Sequence, residues 1–273
     1  MSEAVKTFYN EYGMDEVKRL SSLYCKFEYQ NNLRLMSKYL PKYGEVLDVG
    51  AGPGLYSLPL LKKGYKVTLF DISEVQLSIA QAEFEKENVS AEDLICADAR
   101  QIDTLPDEKY DAILLMGPLY HIIDESDRMK VLNSTYRKLK CGGIALIEFI
   151  NAWGVLRAGF HEFPWEYVNK DLLVRYLSPF TINATEEPDS GFTDVYLTTP
   201  AVASETLKMA GFEVLSYAGT ESIASGMKSS VEFIHQKFPA AFDNILDVSF
   251  SACEMHPYRD MTEHLTFIVK KPE

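Results

Sequence analysis

The chain has 273 residues, 47% hydrophobic and 25% charged, with 27 Lys and Arg against 40 Asp and Glu for a formal net charge of −13. That composition allows one large domain, or one carrying an insertion, and excludes a disordered or fibrous chain that needs disulfide or metal staples. The acidic balance argues against nucleic acid and against an anionic membrane surface, because phosphates are neutralised by a basic face and no Lys/Arg run is present.

In chain order, residues 1 to about 43 read as helices placed before the first strand, with neither a signal core nor a membrane-length apolar segment. Strand-like apolar runs follow at 46–49, 66–70, 93–96, 111–116 and 144–150. Helical patterns separate them, which is the alternation of a parallel sheet covered on both faces. The first helix is expected over about 55–63. Ser73 with Gln76 reads as a capping box for a helix through Phe84 and Glu87. Met129, Leu132, Tyr136 and Leu139 fall at helical spacing after a cap at Asp124 or Ser126, and Cys141-Gly142-Gly143 stops that helix. Later, Thr199-Pro200 opens a helix that Gly211 closes before a strand over 212–217. A helical stretch over 228–247, broken near Pro239, leads to an alternating run at 264–270. The expected fold is α/β, a doubly wound sheet of seven strands.

Residues 151–198 fall outside this alternation and read as an inserted substrate cap, since long connections inside a compact domain are usually functional. They hold both tryptophans, Trp153 and Trp165, with Phe160, Phe163, Tyr167, Tyr176, Phe180, Phe192 and Tyr196. These aromatics either pack the cap's own core or line a pocket over the carboxyl edge of the sheet. Cys25, Cys96, Cys141 and Cys253 are scattered without a C-x-x-C pair and read as reduced, mostly buried thiols of a cytoplasmic protein.

The stretch 46–54, VLDVGAGPG, is the most informative. A strand runs into glycines and then a helix, so backbone N–H groups approach a ligand at a helix start. Asp71 ends the second strand about 20 residues on, where a carboxylate accepts from ribose hydroxyls. A dinucleotide fingerprint would place its third glycine at 55, but Leu55 stands there and Gly54 comes one step early. Asp48, two residues before Gly50, would repel a pyrophosphate; a ligand bearing an ammonium reverses that sign. S-adenosylmethionine has such a group and no phosphate.

The ordered series resembles the class I S-adenosylmethionine-dependent methyltransferases, in the small-molecule branch that includes the ubiquinone/menaquinone-type enzymes. The series comprises 46–54, 67–73, Ile95-Cys96-Ala97-Asp98-Ala99, YDAILLMGPLYHI at 110–122, the fifth strand after Gly143, and Met209-Ala210-Gly211-Phe212. The resemblance implies a Rossmann-like domain over 44–150 and 199–273, mostly parallel with the last strand antiparallel, carrying an N-terminal helical lid (1–43) and the cap. It implies that Asp48, Gly50, Ala51, Gly52 and Gly54 frame the cofactor's methionine end and that Asp71 and Ile72 hold the ribose. Asp98 and Ala99 would meet the adenine, and Met116 and Gly117 would pass beside the sulfonium. S-adenosyl-L-homocysteine would be the product.

On the substrate side, His121 is the candidate base, its ordinary pKa suiting proton transfer near neutrality, with a structural capping role as the alternative. Tyr120, His121, Glu148, Trp153, Phe163 and Trp165 are candidate substrate contacts, and aromatic faces with nearby acids suit an amine or cationic small molecule. Arg19 is a candidate for the cofactor carboxylate, with Tyr9, Tyr12 or Tyr24 closing over it. His161, His235, His256 and His264 make no metal spacing, so no metal is expected. An amide clamp of the Asn/Asp-Pro-Pro-Tyr kind is absent after the fourth strand, which, with the charge, argues against RNA or protein acceptors. The alternatives are a nicotinamide-dependent oxidoreductase and a catalytically inactive binder of S-adenosylmethionine.

Overall fold

The computed structural model describes residues 3–184, 186 and 193–273, apart from the side chains of Tyr12, Asp15 and Glu16. Phe192 and the Tyr12 side chain therefore lie outside the described residues. The sheet begins with β1 (Glu45–Val49), β2 (Lys66–Asp71), β3 (Asp93–Cys96), β4 (Tyr110–Leu115) and the long β5 (Leu139–Asn151). β6 (Phe180–Ile182), β7 (Val195–Thr198), β8 (Glu213–Gly219) and β9 (His264–Lys270) complete it. Hydrogen-bonded neighbours run β3-β2-β1-β4-β5-β7-β6, while β9 pairs antiparallel with both β5 and β8.

Among the described residues the sheet thus has nine strands rather than the expected seven. The seven expected runs are all present, and the antiparallel last strand is as the resemblance implies. The two extra strands, β6 and β7, form an antiparallel pair inside the inserted segment. β7 joins the sheet only at Ile150 and Asn151, the last residues of β5. The insertion, expected as a helical cap, does hold helices, but its β-branched and aromatic run at 195–198 extends the sheet, because β5 outruns β4 and leaves ladder groups to be paired.

β1 shows why the strand ends can carry chemistry. Val46, Leu47, Asp48 and Val49 are all buried, as in a parallel strand covered on both faces. Leu47 and Val49 enter one core cluster with Phe70, Ile113, Ile147, Leu207 and Phe267. Val46 enters the other with Leu69, Leu114, Leu146 and Ile268. Side chains alternate along a strand, so Asp48 shares the second face.

That face is covered by α2 (Cys25–Tyr39), α3 (Ser57–Lys62) and α4 (Glu74–Lys86), and Leu35 and Met36 of α2 belong to its core. The N-terminal helical segment therefore divides. α2 is built into the domain, with Asn31 donating to Thr220 O at 2.8 Å, whereas α1 (Glu3–Leu20), kinked at Gly13, lies across α4. The Ser73 cap forms, with Ser73 Oγ accepting from Gln76 N–H at 3.2 Å, but the reciprocal half of the box does not. Gln76 Nε2 instead donates to Tyr9 O and Gly13 O, both at 3.2 Å, tying α1 down.

On the other face, α5 (Glu125–Lys138) is capped by Asp124, which accepts from Asp127 N–H at 2.9 Å. α6 (Ala152–Glu162) and α7 (Lys170–Arg175) belong to the insertion, and α8 (Pro200–Met209) precedes β8. α9 (Lys228–Lys237) and α10 (Pro239–Ala252) are separated at Phe238, where Pro239 cannot continue the preceding helix. All four thiols are free, and only Cys253 is buried. Cys96 and Cys141 are exposed, against the expectation of mostly buried thiols.

Candidate active site

The turn after β1 delivers its backbone to the carboxyl edge of the sheet. Gly50 has φ +75° and a Cβ there would lie 2.4 Å from Pro118 Cδ, so the turn is closed against the loop following β4. Gly52, at φ +53°, has nothing within 4 Å of where a Cβ would stand, leaving its backbone open. Gly54 faces away, toward Phe84 of α4, and serves the packing of the turn rather than the cleft.

Beneath α1 lies a cleft of about 110 Å³. Its lining includes Asp48, Gly50, Ala51, Gly52, Asp71, Ile72, Met116 and Gly117, with Arg19, Tyr120, His121 and Glu148. Twelve sequence candidates are thus brought to one place, because the carboxyl ends of β1, β2, β4 and β5 lie side by side. The volume is below the roughly 300–1,000 Å³ of most ligand pockets, consistent with α1 resting close on the cleft floor.

Asp71 is fixed by the backbone. Its Oδ1 accepts from Ser73 N–H and its Oδ2 from Gly52 N–H, both at 2.8 Å. Burial raises its pKa, while those N–H groups hold it down. Asp48 is 2% exposed and accepts from Ser57 Oγ–H at 2.7 Å. Burial pushes its carboxyl up to about 7, with Asp71 adding to the rise and Ser57 opposing it.

Other candidates lie elsewhere. Asp98 caps the 3-10 turn Ala99–Thr104 and pairs with the Arg100 guanidinium at 2.8 Å. Burial works against ionisation there, yet Arg100 holds the carboxyl below its usual range. Asp98 and the buried Ala99 do not line the cleft. Trp153, Phe163 and Trp165 are also absent from its lining. Trp153 Nε1 donates to Leu177 O at 3.3 Å, Phe163 packs on Tyr167, and Trp165 is 69% exposed. Gly154 lets α6 pack directly on the backbone at Thr262 and Glu263, just before β9.

His121 lines the cleft with both ring nitrogens engaged. Nδ1 lies 2.8 Å from the Asp194 carbonyl, which only accepts, so Nδ1 carries the proton. Nε2 then accepts from Tyr9 O–H at 2.8 Å. His121 therefore joins α1 to the insertion. Tyr24, by contrast, donates to Glu263 Oε2 at 2.5 Å and lies outside the cleft lining.

The cleft also holds residues that strand-end reasoning does not reach, among them Glu28, Tyr56 and Gln76. Gln76 Oε1 is a buried acceptor with no partner among the described residues. Glu28 sits on α2, and only the helix periodicity of a chain segment far from the glycine turn could have signalled it. Behind it, Glu221 and His264 come together: Glu221 Oε1 lies 2.5 Å from His264 Nδ1, and Glu221 Oε2 accepts from His264 N–H at 3.1 Å. Burial alone would lower the imidazole pKa, but Glu221 and Glu28 hold it well above the usual value. Donor atoms of Glu28, Glu221 and His264 lie within 4.8 Å of one another. The Glu221–His264 bond, however, already uses the nitrogen a cation would need.

Glu148, at the end of β5, is likewise buried, and burial together with Glu28 raises its pKa to about 8, with His264 opposing. A carboxyl raised by folding stabilises nothing at high pH, since the folded chain holds a proton that the unfolded chain releases. The cost is absent below the unfolded value near 4 and grows as pH rises through the folded values. His264 acts in the same direction above its unfolded value, so stability without ligand is expected to fall by several kcal/mol, on the order of 5 or more, between pH 5 and 9. Urea unfolding across that range checks this, with Asp48→Asn flattening the lower part of the fall; an unchanged slope in the variant would remove Asp48 as a source.

The donor set suits a ligand rich in hydroxyl and amine donors. Asp71 and Gln76 offer acceptors, the glycine turn offers open backbone, and Arg19 is the one Lys or Arg among the described lining residues. The methyltransferase-domain family matches residues 46–143. The chain is 23% identical over 242 residues to tRNA 5-carboxymethoxyuridine methyltransferase of Escherichia coli (strain K12), covering 88% of this chain and 85% of that one. It is 32% identical over 130 residues to glycine/sarcosine N-methyltransferase of Aphanothece halophytica, covering 45% and 47%. Among solved structures, Burkholderia thailandensis 1,6-didemethyltoxoflavin-N1-methyltransferase, with its substrate and S-adenosylhomocysteine bound, has the same fold: TM-score 0.60, 13% identity, 99% and 88% coverage.

Proposed function

The chain belongs to the class I S-adenosylmethionine-dependent methyltransferases, and we propose that the acceptor it methylates is a small molecule held in the cleft beneath α1 and α2. S-adenosylmethionine is its cofactor, which displaces the nicotinamide alternative. The observation that carries the small-molecule reading is the enclosed acidic end of the cleft, where Glu28 and Glu148 stand and Arg19 is the one Lys or Arg of the described lining. A polyanion would be repelled there.

When bound, S-adenosylmethionine supplies a methyl group activated by the positive charge on sulfur. The chain's own work is alignment and exclusion of water. In this reading Asp71 and Gln76 accept from the ribose hydroxyls, and the open backbone at Gly52 lets them approach. Asp48 faces the cationic end, with Met116 and Gly117 beside it, and Arg19 meets the cofactor carboxylate. Tyr120 and His121 belong to the substrate wall. α1 acts as the lid, closed by the Tyr9–His121 hydrogen bond and by Gln76, while α2 stays as part of the domain and 151–198 forms the outer cap.

A second reading, methylation of tRNA, is favoured by the Escherichia coli relative that matches most of this chain. Incubation with radiolabelled S-adenosylmethionine and either a protein-free metabolite extract or bulk tRNA separates the two. Label in the extract, with matching release of S-adenosylhomocysteine, is the expected result and also rejects an inactive binder. Label in tRNA alone would overturn the small-molecule acceptor.

A further inference from the structure

Resting on the small-molecule reading, we infer that the methyl acceptor is an amine arriving as its ammonium ion, and that Glu148 takes its proton before the nitrogen attacks. Glu148 is 2% exposed and lines the cleft beside the ends of β1 and β4. Its Oε1 accepts from Asn32 Nδ2 at 3.4 Å and from Thr266 Oγ1 at 3.3 Å, both neutral donors. Its Oε2 has no hydrogen bond among the described residues, and it is not sealed from solvent. A buried carboxylate with an open oxygen and no cation on it is costly unless a cation is brought to it.

The groups around Glu148 come from every element packed against it. Glu28 comes from α2, Glu221 follows β8, and His264 starts β9. Asp48 lies in β1, Tyr56 follows the glycine turn, Tyr120 follows β4, and Arg19 on α1 stands near Tyr120. Glu221 and Glu28 already engage the His264 cation, so that cation does not neutralise Glu148. A hydroxyl acceptor would leave Glu148 in its protonated form, whereas an ammonium draws it into its charged form.

With its pKa near 8, Glu148 is mostly protonated at neutral pH in the empty cleft. Binding an ammonium then releases one proton to solvent, and the remaining proton is shared between nitrogen and carboxyl. Moving it from an alkylammonium of pKa about 10 onto a carboxyl of pKa about 8 is at least about a hundredfold unfavourable, and more once the ion pair has formed, against at least about a million-fold for an ordinary carboxylate. The freed nitrogen lone pair forms the N–C bond as the C–S bond breaks, and that electron pair stays on sulfur. The methylated product leaves as an ammonium and Glu148 keeps its proton, so the proton released on binding is the one the whole reaction produces. His121, the other candidate base, has both nitrogens engaged while α1 is closed.

The test uses the full chain saturated with S-adenosylhomocysteine, with Glu side-chain carboxyls labelled with 13C and the Glu148 resonance assigned by its loss in Glu148→Gln. Dimethylammonium chloride is expected to lower the Glu148 titration midpoint, whereas propan-2-ol leaves it in place. Equal effects of the two probes, or none from dimethylammonium, would overturn the inference. In turnover, a metabolite extract is split on a cation exchanger, and the retained fraction is expected to accept label on nitrogen. Label confined to the unretained fraction sinks the amine acceptor but spares the small-molecule reading; label in tRNA alone sinks both. Glu148→Gln is expected to lower kcat/KM by roughly 10²–10⁴-fold and to abolish proton release on binding dimethylammonium, with S-adenosylhomocysteine still bound.

Discussion

Asp71→Ala is expected to weaken S-adenosylhomocysteine binding by roughly 10²–10⁴-fold, measured by calorimetry. The carboxylate stands at the end of β2 and holds Gly52 N–H and Ser73 N–H, one on each oxygen. It thereby fixes the glycine turn and the start of α4 relative to each other, and under the proposed function its remaining lone pairs would meet ligand hydroxyls. Hydrogen bonds to a charged acceptor are worth about 1.5–3 kcal/mol each, so losing two to a ligand gives the stated range. The chain without ligand should suffer far less, because the substitution also removes a desolvated charge. Asp71→Asn should recover only part of the affinity, since an amide accepts on one side alone. Binding of Asp71→Ala within threefold of the parent would place Asp71 outside the site.

Gly154→Ala is expected to lower the melting temperature by about 4–8 °C, read by calorimetric or fluorescence melting. A Cβ at this position would stand 1.8 Å from Thr262 O, 2.0 Å from Thr262 C and 2.5 Å from Glu263 N. All three are backbone atoms and cannot rotate aside. Alanine favours a helix interior by about 1 kcal/mol over glycine, but overpacking against fixed backbone costs about 3 kcal/mol or more. At this chain length each kcal/mol is worth roughly 2–4 °C. Displacing α6 would also strain Asn151, whose Nδ2 donates to Thr262 O at 2.8 Å and whose N–H donates to Glu263 O at 2.8 Å. Because Glu263 precedes His264, the variant should also weaken substrate turnover more than cofactor binding. An unchanged melting temperature would mean that the insertion is not seated through this contact.

The alternation of strands and helices, the glycine turn, and the Asp48 and Asp71 strand ends were legible in the amino-acid order. Each rests on local physics. Side chains repeat every two residues along a strand, caps and glycines punctuate helices, and parallel strands bring their carboxyl ends to one edge whatever surrounds them. The resemblance to the methyltransferases rested on the same local series.

Partner choice is not local, and there the tertiary structure decided. His121 meets Tyr9 across 112 residues and Asp194 across 73. Glu148 reaches Asn32 across 116 residues and Thr266 across 118. Trp153 and Trp165 have a pocket's chemistry, yet Trp153 donates to Leu177 O and Trp165 stands exposed, both outside the cleft lining. The amino-acid order was enough to bring the ends of β1, β2, β4 and β5 to one cleft, because periodicity and turn stereochemistry act within a few residues. Only the packing of α2, β5 and β9 against one another decided that Glu28, Glu148, Glu221 and His264 meet, because burial and charge pairing depend on which distant elements touch.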